Sequence, residues 1–153
     1  MAQLDALALT HSWPLLEQPR RFDWGHILSS VVTDLIEPGQ IGDLNLQHVG
    51  CWECDLSDNS LTWSGGVYDL FGLPRGAKIT REEAVSFYAE DSRASMEQLR
   101  LHAIRHRRGF TLDVRIRPAV GGERTMRLIT APICDGTKVI RLHGLKLLVP
   151  TAR

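Results

Sequence analysis

Apolar positions follow different rhythms in different parts of the chain. Beyond Asp23, the residues Trp24, Ile27, Leu28, Val31, Val32, Leu35 and Ile36 fall at spacings of three and four, which is one face of an α-helix. Asp23 is placed to cap that helix and Pro38-Gly39 to stop it. Residues 1–22 carry Pro14 and Pro19 and show no sustained period, so a loosely attached arm is expected there. Gly39 to Asp43 reads as a linker.

From about Val49 the rhythm shortens. Gly50 to Leu56 and Ser60 to Ser64 flank the turn formers Ser57, Asp58 and Asn59 and read as a β-hairpin. Gly65 to Gly72 reads as a short helical turn, its start capped by the Ser64 hydroxyl. Thr80-Arg81-Glu82-Glu83 is a capping box that opens a helix through Phe87, and Asp91 or Ser92 starts a longer one ending near Arg108-Gly109. The clearest strand comes next, where Phe110, Leu112, Val114 and Ile116 alternate with Thr111, Asp113, Arg115 and Arg117. Gly121-Gly122 and Asp135-Gly136 are turn signals that separate two more strands, from about Arg124 to Cys134 and from Lys138 to Leu148. The expected class is α+β with an antiparallel sheet, divided into an arm and amphipathic helix over 1–43 and a body over 44–150.

Both faces of the last two strands are partly apolar. Ile140, Leu142 and Gly144 share one face and Val139, Leu145 and Leu147 the other, while Ile129, Ala131 and Ile133 alternate with Leu128, Thr130 and Pro132. Helices can cover one side only, so the opposite face needs another cover. The leader helix is the expected cover, in cis or from a second copy. A homodimer is the expected outcome, with interface candidates Trp24, Ile27, Leu28, Val31, Val32, Leu35, Ile129, Ile133, Val139, Leu145 and Leu147.

Composition narrows the function classes. The 153 residues suit one ordinary domain, and 18 basic against 18 acidic residues leave a net charge of zero. No global field therefore gathers nucleic acid or anionic lipid. No apolar run approaches the roughly 18 residues that span a bilayer, and the N-terminus lacks the features of a secretion signal. Expected are a cytoplasmic location, no membrane insertion and no nucleic-acid partner. Three cysteines suit reduced thiols. Fifteen of the basic residues are Arg and only three are Lys, a bias toward bidentate pairing with carboxylates or protein surfaces.

Three constellations invite chemistry. Cys51 and Cys54 have CxxC spacing, but on a strand positions i and i+3 point to opposite faces, and no second pair completes a zinc site. His102 and His106 stand i, i+4 on the long helix, a spacing able to clamp a metal, yet they lie on the flank of a stripe formed by Met96, Leu99 and Ala103. Ser64 in Thr62-Trp63-Ser64-Gly65-Gly66 lacks the glycine two residues earlier that a nucleophile elbow requires. No nucleophile, base and orienting group assemble, so no enzyme activity and no metal are expected.

Gly50-Cys51-Trp52-Glu53-Cys54-Asp55-Leu56, Leu61-Thr62-Trp63-Ser64 and Tyr68-Asp69-Leu70-Phe71-Gly72 together resemble the opening of a PAS domain of the subgroup with Gly-x-Trp-x-x-Asp on its first strand. Glu90-Asp91-Ser92-Arg93 is similar to the acidic turn before that family's long helix. Phe110 to Arg117 with Gly121-Gly122-Glu123-Arg124, and Val139 to Gly144, resemble its third and last strands. The resemblance covers about residues 45 to 148. Tyr88-Ala89 stands where the family usually has His-Pro, Met126 where it has Trp, and Cys54 where it has a second aromatic.

The resemblance implies a five-stranded antiparallel sheet, central strands first and last, with helices over one face and a small-molecule or vestigial pocket between. It implies pocket candidates Trp52, Cys54, Trp63, Tyr68, Phe71, Phe87, Met96, Leu99, Phe110, Leu112, Val114 and Met126. It implies a non-catalytic sensory and signalling module that acts through protein contacts, with signalling proteins such as histidine kinases as partners and a small ligand as an option. The expected cofactor is none, with a sensor that binds haem, through the long-helix histidines, or another cofactor as the alternative. A light-driven flavin adduct is not expected, because residues 76–108 contain no cysteine. Leu148-Val149-Pro150 replaces the family's effector-coupling end, so output without a covalently attached effector is expected.

Overall fold

The computed structural model describes residues 2–23 and 49–149. The expected helix from Trp24 to Ile36, its interface candidates Trp24, Ile27, Leu28, Val31, Val32 and Leu35, and the linker at 39–43 lie outside the described residues.

Helix α1 (Ala2–His11) leads into the short strand β1 (Ser12–Pro14), a 3-10 turn at Leu15–Glu17 and α2 (Gln18–Arg21). The body follows as β2 (Val49–Asp55), β3 (Ser60–Trp63), α3 (Gly65–Phe71), α4 (Arg81–Ser86), α5 (Glu90–His106), β4 (Arg108–Ile116), β5 (Arg124–Asp135) and β6 (Lys138–Val149). All strands join one antiparallel sheet in the order β1-β4-β5-β6-β2-β3. The last strand β6 therefore runs between β5 and the first body strand β2. Where five strands are expected there are six, because Ser12, Trp13 and Pro14 pair with Phe110, Gly109 and Arg108 on the free edge of β4.

Local chemistry explains the element ends. Asp55 Oδ1 accepts from the backbone N–H and hydroxyl of Ser57, and Asn59 takes the left-handed conformation at φ 60°, which closes the β2–β3 turn. The Thr80–Glu83 capping box forms in both directions at the start of α4. Ser64 differs from expectation: its backbone occupies the N-cap position of α3, but its hydroxyl accepts from the Cys51 N–H at 2.9 Å rather than capping. Helix α3 lies so close to β2 that a Cβ on Gly66 would stand 1.9 Å from the Val49 carbonyl oxygen. Arg124 closes the far end of α3 by donating to the carbonyls of Asp69 and Leu70.

The sheet carries an apolar cluster on each face. On the helix side, Val67, Leu70, Phe71, Ala84, Val85, Met96, Leu99 and Ala103 pack onto Phe110, Leu112, Val114, Ile116, Met126 and Leu128. On the other side a smaller cluster joins Trp13 to Ile129, Ala131, Leu145 and Leu147, with Leu15, Phe22 and Val49 against it. Residues 12–22 are thus no loose arm. Trp13 is only 2% exposed, and it packs so tightly over Gly109 that a Cβ there would lie 2.2 Å from its ring. Its indole donates to Thr111 Oγ1 at 3.1 Å, and Phe22 meets it edge-on. The period was missing because one tryptophan and one small partner make this contact, not a repeated stripe. Ile129, Leu145 and Leu147, expected at a dimer interface, are covered by their own chain; Ile133 is half-buried at a bulge and Val139 is buried.

Candidate functional site: a cavity with a buried lysine

Lys146 sits on β6 at a position that faces the helix side of the sheet, and it is 6% exposed. Two glycines make room for it. Lys146 pairs in register with Gly50 on β2, and its strand neighbour Gly144 pairs with Trp52, so each large side chain on this face stands opposite a residue with none. Any Cβ on Gly144 would lie 1.8 Å from the Ile129 carbonyl oxygen.

The ammonium of Lys146 lies among four aromatic rings. Its Nζ is 5.1 Å from the ring centre of Phe71, 5.2 Å from Trp52, 5.5 Å from Trp63 and 5.9 Å from Tyr88, all within the range of cation–π attraction. Trp63 stacks on Phe71 with centroids 4.9 Å apart, which fixes two of these walls. Nζ also donates to the Tyr88 hydroxyl at 3.4 Å. Burial pulls the Lys146 pKa down to about 7, and it holds the Tyr88 phenol far above its ordinary value.

A cavity of about 50 Å³, partly open to its surroundings, adjoins this group, between the sheet and helices α4 and α5. Trp52, Cys54, Leu61, Phe110, Leu128, Thr130, Leu142 and Lys146 line it from the sheet, Ala84, Val85 and Tyr88 from α4 and the residues after it, and Met96 and Arg100 from α5. Arg81 lines it too and pairs with Glu97. Arg100 reaches from α5 to Asn59 Oδ1 at 3.2 Å and also touches the Cys54 thiol. Burial raises the Cys54 pKa and lowers that of Arg100. Two side-chain polar atoms in the wall, Trp52 Nε1 and Thr130 Oγ1, are buried without a hydrogen-bond partner.

This combination of one antiparallel sheet, helices over one face and a cavity between them can be compared with known structures. The N-terminal domain of a diguanylate cyclase with PAS/PAC sensor from Marinobacter aquaeolei is similar at a TM-score of 0.60 and 14% identity, over 66% of this chain and 94% of that one. A sensory box histidine kinase/response regulator from Burkholderia thailandensis E264 is similar at 0.57 and 18%, over 74% and 85%. The fold is PAS-like. An RNA-binding light-oxygen-voltage receptor also matches, at 0.60 and 14% identity over 69% of this chain, which spans about a third (32%) of that receptor's length. No protein-family model and no curated protein matches the sequence.

On this PAS-like frame the sequence-expected pocket residues separate into three groups. Trp52, Cys54, Met96 and Phe110 line the cavity. Trp63 and Phe71 wall the lysine instead, and Phe87 packs edge-on against Phe71. Leu99, Leu112, Val114 and Met126 are filled core, and Tyr68 lies toward the surface, donating to the Ala77 carbonyl. Cys51 is exposed and Cys54 buried, so the two thiols diverge as strand geometry requires. His102 and His106 lie side by side on α5, their ring centres 4.5 Å apart, and neither lines the cavity. Residues of this kind do not fit a haem: the space lacks an imidazole and is far smaller than a tetrapyrrole.

Sequence reading missed Lys146, Arg81, Arg100, Tyr88 and Thr130. One signal was present. Carrying the alternation of Ile140, Leu142 and Gly144 two positions further puts a lysine on the helix-covered face, where a charge is costly enough to ask what receives it. Tyr88 was visible only as a replacement for the expected His-Pro.

Proposed function

We propose that this chain is a non-catalytic sensory and signalling module that acts through contacts with signalling proteins and reads a small ligand in the Lys146 cavity. The observation that supports it most is the set of buried, underused polar groups around that space. A domain kept only for packing gains nothing from a lysine, a threonine hydroxyl and an indole N–H left short of partners beneath its helices. The structural neighbours, PAS and light-oxygen-voltage sensors that include a histidine kinase and a diguanylate cyclase sensor, make kinases or cyclases the expected partner class.

In this reading the working form is a homodimer. Leu9 and Leu16 in the N-terminal segment are 86% and 83% exposed, apolar surface that pairing of two copies would cover. Sedimentation of the full chain tests this point, and a monomer at all concentrations would remove it. The reading as a whole is tested by quantitative affinity capture with the full chain and with a cavity-filling Thr130→Leu variant. A kinase, cyclase or related signalling protein whose enrichment changes at least severalfold between the two supports it. Turnover of a metabolite by the purified chain, with no signalling protein enriched, would overturn it.

A further inference from the structure

We propose that the cavity takes a small organic carboxylate, with its oxygens on Lys146, Trp52 Nε1 and Thr130 Oγ1 and a short apolar tail among Met96, Phe110 and Leu142; this deepens the sensory reading above and rests on it. The decisive feature is the sign of the unused hydrogen-bonding capacity. Lys146 has three N–H donors and one oxygen partner, the Tyr88 hydroxyl at 3.4 Å. Trp52 Nε1 is donor-only, and the Thr130 hydroxyl can donate; both are buried without a partner, Thr130 at 1% exposure. Three residues lining one cavity with unused donors call for a group that only accepts, and a carboxylate supplies two oxygens with about four lone-pair sites. A cationic ligand such as an alkylammonium, which only donates, would leave every one of these donors unmatched.

Charge points the same way. Among the described residues that line the cavity, Lys146, Arg81 and Arg100 are basic and none is acidic. Glu97 is spent on Arg81, which leaves Lys146 without a carboxylate at hydrogen-bond distance. A buried charge is normally paired, and here the missing partner is of the size the space admits. At about 50 Å³, several times what one water requires, there is room for a molecule of a few non-hydrogen atoms. Met96, Phe110, Leu128 and Leu142 make much of the remaining wall apolar, which suits a carboxylate with a short hydrocarbon tail.

The test uses the full chain and straight-chain carboxylates from formate to hexanoate, with propan-1-ol and propylamine as neutral and cationic probes. Binding is read by calorimetry and by the indole N–H resonance of Trp52 in nitrogen-15 spectra. Expected is saturable binding of at least one carboxylate with displacement of that resonance, weakened at least tenfold in Lys146→Met and at least threefold in Thr130→Val. Both variants are near-isosteric, and cooperative melting establishes that they are folded. Binding of propan-1-ol or propylamine as tight as the best carboxylate would overturn the carboxylate assignment while leaving a ligand-reading sensor intact. So would carboxylate affinity unchanged in Lys146→Met, or no saturable binding across the series. The absence of any signalling protein whose capture depends on the cavity would, by contrast, overturn the sensory reading whatever binds.

Discussion

The two faces of the same sheet solve opposite problems. The outer cluster is closed by fitting one large residue to one absent side chain, Trp13 over Gly109, and the indole N–H that comes with it is satisfied by Thr111. The inner face has much more apolar material, yet it leaves an empty space beside a lysine held by aromatic rings and one phenol. Burial alone does not distinguish them, since Trp13 and Lys146 are both nearly inaccessible. What distinguishes them is polar satisfaction: packing for stability ends with every donor matched, and the inner face does not. On the proposed reading, stability and ligand sensing thus occupy opposite sides of one sheet.

The sharpest way to break this contrast is on the outer face. Trp13→Ala is expected to lose about 3–5 kcal/mol, the usual cost of emptying a buried tryptophan site, measured by urea unfolding. Gly109→Ala should also destabilise the wild type but cost little more once Trp13 is gone, because the two changes attack one contact. A loss below about 1 kcal/mol for Trp13→Ala would mean that the N-terminal segment does not hold this face.

Lys146→Met should move in the other direction. Replacing a buried, incompletely paired charge with an apolar side chain of similar shape is often stabilising by about 1–4 kcal/mol, and that gain is expected at pH 6. The gain should shrink as pH rises. Burial lowers the folded-state pKa of Lys146 from 10.5 to about 7, so between these values the unfolded chain holds a proton that the folded chain does not. Stability conferred by this site therefore rises with pH above about 7, by about 1.4 kcal/mol per unit, and is level below it. The useful window is pH 7 to 9. Above it the buried Cys54 and Tyr88, both with raised pKa values, lose stability as the unfolded chain releases their protons. Stability curves of wild type and Lys146→Met that stay parallel from pH 6 to 9 would contradict a buried ammonium.

Smaller effects test the frame around the site. Thr80→Ala removes one half of the capping box of α4, the helix that carries Ala84 and Val85 into the cavity wall, and should cost about 1 kcal/mol. His106→Ala, on the exposed flank of α5, should change stability by less than about 0.5 kcal/mol. A larger loss there would bring the long-helix histidines back into consideration.

Legibility in the sequence followed how many residues shared each signal. Strict alternation over Phe110 to Ile116, the Thr80–Glu83 box and the Asp135-Gly136 turn are local patterns whose physics is contained within a few neighbours, and they appear as β4, α4 and the β5–β6 hairpin. Trp13 and Gly109 are ninety-six positions apart, so nothing near either announces the other. The same holds for the site. Trp52, Cys54, Met96 and Phe110 belong to apolar patterns and could be named as pocket candidates. Lys146, by contrast, becomes remarkable only when the register places it opposite Gly50 and among Trp52, Trp63, Phe71 and Tyr88. Arg81 and Arg100 look like ordinary helix-surface residues until the β2–β3 turn and Cys54 are brought beneath them.

The chain has only three lysines, which makes the central claim directly measurable. Carbon-13 spectra of the lysine Cε positions, followed from pH 5 to 9, should show one resonance that titrates near pH 7 and disappears in Lys146→Met. That resonance should also move its midpoint upward when a bound carboxylate stabilises the ammonium. If no lysine resonance moves below pH 9, Lys146 is not the buried, underpaired cation on which the inner-face site depends.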